Sequence, residues 1–330
     1  MPDNFGAIFQ RPPPQRRNPF RAGLQAALRL LILALQAQVA IFIAVVFGLL
    51  IFVTYTALRS GSPPPPDVPD RLTLVHGLGV NPRDGTLYAA SPRGVFRIET
   101  PERALRLSNS YQDSTGFIVV GPDEFLASGR ADLRDRLSGF APEVAGLIRS
   151  ADAGHNWKTL ALADEALFTT LSLVDSVLYG YDELTNTFRV SDDRGFNWED
   201  RSQLEPLLDF VVAPAGAAEL LAATEAGGLI ASVDGGRSWQ AAAGPALVRL
   251  EWRERALLWG ADAAGGVYLS RDGGAVWEMQ GAIPGAPGAF LASEAGLFAA
   301  LTDDRILFSA DGGLIWAPVY ENPSLERAPD

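Results

Sequence analysis

Cysteine is absent from the sequence, lysine occurs once, as Lys158, and histidine twice, as His76 and His155. Without cysteine there is no disulfide, no thiol nucleophile and no thiolate metal site. His155 sits inside a turn motif described below, so no Ser-His-Asp set has credible members. Metal-ligand spacing and a phosphate-cradling glycine loop are missing too, and no metal or cofactor is expected. Basic residues are also in deficit, 27 against 39 acidic, for a net charge of -12. Five of the arginines, Arg11, Arg16, Arg17, Arg21 and Arg29, lie near the N-terminus, which leaves the remainder more acidic still. Such a surface cannot neutralise phosphates, and nucleic acid is excluded as a partner.

One long apolar run stands against these shortages. Val39 to Leu58 is twenty residues without a charge, and the apolar character reaches back to Leu30. As a helix this run is ~30 Å long, the thickness of a bilayer's hydrocarbon core. Five arginines precede it and Arg59 follows, which places the N-terminus in the cytoplasm and the rest outside. A cleaved signal peptide would have a shorter apolar region and a small-residue cleavage site, so an uncleaved single-pass anchor in the cell membrane is expected. The stretch SGSPPPPDVPD, residues 60 to 70, reads as a semi-rigid spacer.

The rest of the chain repeats. An octet S-x-D-x-G-x-x-W occurs five times: Ser150, Asp152, Gly154, Trp157; Ser191, Asp193, Gly195, Trp198; Ser232, Asp234, Gly236, Trp239; Ser270, Asp272, Gly274, Trp277; and Ser309, Asp311, Gly313, Trp316. Successive aspartates are 41, 41, 38 and 39 residues apart. In a tight turn the aspartate accepts backbone N–H groups, the glycine supplies a positive φ, and the tryptophan wedges between neighbouring sheets. Folding therefore accounts for each part of the motif. The octet resembles the Asp box, or BNR repeat, of sialidases, sortilin-like receptors and photosystem II assembly factors.

Around each octet apolar strands recur in the order A, B, C, D. In the fourth unit Phe210 to Pro214 reads as A, Leu220 to Thr224 as B, Leu229 to Ser232 as C, and the strand through Trp239 as D. B strands are marked by 125–128, 177–182, 257–262 and 297–302, and 86–98 forms a first unit without an octet. The fold class expected is all-β: a six-bladed β-propeller, alternatively seven-bladed, preceded by one transmembrane α-helix. Residues 71–75 and 317–320 are expected to close the ring. The domains are then 1–29 cytoplasmic tail, 30–58 anchor, 59–70 linker, 71–320 propeller and 321–330 C-terminal tail. The stretches 76–97, 112–129 and 177–182 resemble bacterial BNR-repeat proteins often labelled glycosyl hydrolases, a resemblance that covers most of residues 72 to 316 and implies fold more than activity.

Sialidases need an arginine cluster, a tyrosine nucleophile and acidic partners. Phe96-Arg97-Ile98 resembles the start of their F-R-I-P motif, but the repeat puts Arg97 on a C strand, where other units have Arg149 or Ala231, and Glu99 replaces the proline. The usual binding surface of a propeller is the face formed by its B–C and D–A loops. Candidates there are His76, Gln112, Asp113 and Asp209 at the entries to A strands, and Tyr181, Asp182, Glu225, Asp262, Asp303 and Asp304 in B–C loops. The second unit carries a long B–C insertion with Arg130, Arg134 and Arg136. The reading is a binding, scaffolding or assembly module for a protein or glycan partner; the alternative is a membrane-tethered sialidase-like glycoside hydrolase. Oligomeric state is not encoded in any of these features.

Overall fold

The computed structural model describes residues 38, 44–49, 71–107, 112–132, 136–139, 141–214 and 218–321. Most of the expected anchor, the linker, Arg134 and the C-terminal tail beyond Glu321 lie outside them. Gln38 and residues 44–49 are helical, and no helix among the described residues is long and apolar enough to cross a membrane.

Residues 71–321 form six four-stranded antiparallel sheets, each built from four consecutive strands. Blade one holds β1 (Gly77–Val80), β2 (Leu87–Ser91), β3 (Gly94–Thr100) and β4 (Arg103–Arg106). Blade two holds β5 (Thr115–Gly121), β6 (Glu124–Ser128), β7 (Leu147–Ser150) and β8 (Lys158–Ala161). Blade three holds β9 (Phe168–Val174), β10 (Val177–Asp182), β11 (Thr187–Ser191) and β12 (Glu199–Gln203). Blade four holds β13 (Leu207–Val212), β14 (Leu220–Thr224), β15 (Leu229–Ser232) and β16 (Gln240–Ala242). Blade five holds β17 (Leu247–Glu254), β18 (Leu257–Asp262), β19 (Gly266–Ser270) and β20 (Glu278–Ala282). Blade six holds β21 (Pro287–Ala292), β22 (Leu297–Leu301), β23 (Ile306–Ser309) and β24 (Ala317–Tyr320). There is no seventh sheet among the described residues. The fourth blade's A strand begins three residues earlier than expected and ends at Val212, before Pro214, which has no N–H to give to a ladder.

Each pair of neighbouring blades encloses its own apolar cluster, six in all. The octets help to build five of them. In every octet the serine Oγ donates to its aspartate at 2.7–2.8 Å and accepts the glycine N–H at 2.7–2.9 Å. The aspartate also accepts the N–H of the seventh residue, as Asn156, Asn197, Ser238, Val276 and Ile315 show at 2.8–3.0 Å. These bonds hold the carboxyls below the usual range, Asp193 at about 2. The glycine takes a positive φ and lies against the preceding blade: a Cβ on Gly195 would stand 2.3 Å from Leu147, and one on Gly236 2.4 Å from Phe188. The tryptophan then packs into the same interface, stacked on Phe168 in the case of Trp198 and edge-on to Phe188 in the case of Trp239.

Ring closure differs from expectation. Residues 71–75 are not a strand, and β24 pairs with β23 of its own blade. The sixth blade meets the first through side chains instead: Leu72, Leu78 and Phe96 pack with Ile306 and Tyr320, all buried. Two bonds brace the seam, from Leu74 N–H to Asp304 Oδ1 at 2.9 Å and from Glu321 N–H to Pro101 O at 2.6 Å. Pro101 lies in the turn between β3 and β4, the place an octet occupies in the other blades, so the seam repeats the blade-to-blade packing without a shared sheet.

Candidate functional site

The innermost strands β1, β5, β9, β13, β17 and β21 surround a central channel of about 1190 Å³. Five of them bulge on entry, β5 between Thr115 and Ile118. In β9, β13, β17 and β21 the register slips by one residue on the D–A side, at Thr169, Leu208, Val248 and Gly288. Such a bulge bends the strand and re-aims the side chain that follows it. The residues after the bulge are Thr170, Asp209, Arg249 and Ala289. Asp209 and Arg249 thus come onto the channel wall side by side, on adjacent blades.

An innermost strand has one edge without a strand partner, and its N–H and C=O groups need other partners. Side chains supply them in blades four to six. Asp209 Oδ1 accepts the N–H of Phe210 and Oδ2 that of Leu250, each at 2.9 Å. Arg249 donates Nε to Gly288 O at 2.7 Å and Nη1 to Val248 O at 2.7 Å and Leu208 O at 3.2 Å, spanning three blades. The Ala292 N–H lies near Glu251 and favours its ionised form, and Arg253 donates to Ser293 O at 3.0 Å. Enclosure by protein pushes the Asp209 carboxyl up to about 6, against the pull of Arg249. Glu251 is raised well above the carboxylate range, first by desolvation and then by Asp209. The wall of blades one to three sets His76, Asp175 and Glu183 among Val80, Ile118, Val120, Thr170, Ser172 and Val174.

Of the residues singled out in the sequence, His76 and Asp209 line this channel, and Asp113 lies against His76. His76 lines it and approaches Asp113 at 3.3 Å, without the alignment of a hydrogen bond. Beside them the Gln112 side-chain N–H2 is buried and finds no acceptor. The loop acids mostly serve their own turns. Asp182 is fully buried rather than on the face, and accepts Leu167 N–H at 2.9 Å, Leu184 N–H at 3.2 Å and Thr185 Oγ1 at 2.6 Å, with Arg189 at 3.4 Å. Tyr181 is 2% exposed, packed between blades three and four with its hydroxyl on Asn186. It too leaves the predicted surface, because its position on β10 points it into the apolar interface.

Asp262 accepts Ala264 and Gly266 N–H and the Tyr268 hydroxyl, organising the turn between β18 and β19. Asp303 is exposed and paired with Arg305 at 2.8 Å, while Asp304 braces the seam. Glu225 is exposed on its loop. Arg130 and Arg136 both turn onto Glu143, inside their own insertion, rather than toward the acidic loops. Arg249, Glu251 and Arg253 were not anticipated. The signal was present: LVRLEWRE alternates charge with apolar residues, whereas the A strands of blades four and six carry at most one charge.

No protein-family model and no curated protein matches the chain. Solved structures do. A GH74 enzyme from Niastella koreensis is 15% identical over 76% of this chain and 46% of its own, with a TM-score of 0.52. The GH74 xyloglucanase from Xanthomonas campestris is 19% identical over 74% of this chain and 45% of its own, at 0.50. A structure of YCF48 bound to D1 peptide is 14% identical over 75% of this chain and 82% of its own, at 0.48. The chain spans less than half the length of the two GH74 structures. At these identities the likeness shows the propeller fold alone.

Proposed function

We propose that the chain is a membrane-anchored, extracytoplasmic propeller that holds a protein or glycan partner as a binding, scaffolding or assembly module. The anchor rests on the uncharged run Val39 to Leu58 and the arginines before it. We take the five octets as Asp boxes of the BNR type, because their hydrogen bonds and glycine contacts are those the motif's chemistry requires. One observation supports binding over turnover: the charged groups of the channel hold the propeller's own backbone in place. No tyrosine lines the channel among the described residues to serve as a sialidase-like nucleophile.

A glycoside hydrolase is the second reading, favoured by the Asp209 and Glu251 carboxyls, which both line the channel and are both pushed upward by burial. A screen of the full chain against fluorogenic glycosides separates the two. Binding predicts no turnover, with a partner recovered by cross-linking on intact cells. Turnover lost in Asp209→Asn and Glu251→Gln overturns it in favour of the hydrolase.

A further inference from the structure

The channel groups are held rigid yet keep hydrogen-bonding capacity unused. Arg249 commits Nε and Nη1 to carbonyls, and its Nη2 makes no hydrogen bond among the described residues. Each Asp209 oxygen accepts one N–H and retains a second lone pair. On the neighbouring third blade Thr170 and Ser172 line the same channel, next to Ile118 and Val120 of the second. Groups fixed in advance by the fold lose little entropy when a ligand arrives.

Charge defines the ligand. Arg249 stands beside Asp209, and Arg253 beside Glu254 at 3.6 Å and Glu294 at 3.9 Å. An anion entering the channel meets Asp175, Glu183, Asp209 and Glu251, and a cation meets Arg249 and Arg253. A neutral ligand with alternating donors and acceptors meets neither penalty, and apolar wall segments suit the C–H faces between its hydroxyls. At about 1190 Å³ the space exceeds the ~300–1,000 Å³ of a typical drug-sized site, which accommodates more than one sugar ring.

We propose that the channel binds a short neutral oligosaccharide, with Asp209 accepting hydroxyl protons from it and Arg249 Nη2 donating to its oxygens. This rests on the glycan half of the reading above.

The test is calorimetric titration of the full chain, purified in a detergent without a sugar headgroup, with maltotriose, cellotriose and xylotriose, and with trigalacturonate as the charged control. At least one neutral trisaccharide is expected to bind, and the charged one at least tenfold more weakly. Ser172→Phe and Thr170→Phe narrow the channel without touching the Asp209–Arg249 clamp. Whichever keeps the wild-type melting temperature is expected to weaken binding at least tenfold. Absence of neutral-sugar binding overturns the inference, and recovery of a protein partner in that case leaves the scaffolding reading intact. Binding unaffected by a folded channel-narrowing variant also overturns it, placing the glycan elsewhere on the propeller. Tighter binding of trigalacturonate refutes the neutral class.

Discussion

The Asp209 carboxylate crosses from the fourth blade to the fifth to accept the Leu250 N–H at 2.9 Å. It thereby joins two innermost strands that share no sheet. Removing it leaves a donor on the channel wall and unties Arg249's neighbour. Asp209→Ala is expected to lower stability by ~1–3 kcal/mol, and Asp209→Asn by less, since the amide oxygen still accepts one N–H. Urea unfolding followed by tryptophan fluorescence measures both.

The same residue sets a pH dependence. Its folded pKa, about 6, lies above the value of 3.8 for a free aspartate, so the folded state holds the extra proton between the two. Its stabilising contribution is full below ~3.8 and is lost as pH rises through about 6. The octet aspartates act in the opposite sense. Their depressed values, Asp193 at about 2, give stability that is present above ~3.8 and lost as pH falls through the folded value. Stability is therefore expected to rise from pH 7 to a maximum near 4–5 and to fall below it. Urea midpoints across that range check this, and Asp209→Asn is expected to flatten the rise on the neutral side.

Octet glycines differ in what surrounds them. Gly236 at φ +84° has Phe188 carbons 2.4 and 2.5 Å from an added Cβ, whereas the nearest atom to one on Gly154, at φ +89°, is 3.3 Å away. Both alanine substitutions incur the left-handed cost of ~1–2 kcal/mol, but only Gly236→Ala also forces the blade interface apart. Thermal unfolding is expected to show the larger drop for Gly236→Ala; equal drops would mean the interface relaxes freely.

Four octet tryptophans donate Nε1 to the glycine carbonyl at 3.0–3.2 Å, while the Trp277 N–H is buried without an acceptor. Phenylalanine in its place removes an unsatisfied donor, and in place of Trp316 it removes a hydrogen bond. Trp277→Phe is expected to be less destabilising than Trp316→Phe by ~1 kcal/mol, read from denaturant midpoints.

At the seam Tyr320 is 2% exposed and fills the cluster between the sixth and first blades. With no shared sheet to hold the ring shut, Tyr320→Ala is expected to cost ~3–5 kcal/mol. Limited proteolysis should then cut first near Arg71 or in the last blade.

Much of this architecture was legible in the residues because the repeat states it five times. An octet contains its own turn chemistry, local in sequence, so its bonds follow from spacing alone. The B strands at 177–182 and 257–262 fall where the alternation put them, since a strand that contributes to two apolar interfaces advertises itself in composition. What lay beyond reach depends on groups far apart in the chain. Tyr181 and Asp182, at the end of their B strand, read as residues of the binding face, yet β10 carries them into the interface and an inner turn. The channel clamp needs Asp209, Arg249 and Gly288, each some forty residues from the next, brought together by bulges that leave no mark in a single sequence. Ring closure is decided in the same way: Leu72 and Tyr320 meet only when six blades have turned the full circle. Local chemistry determined the blades, and only the closed ring decided which charges lie side by side on the channel wall.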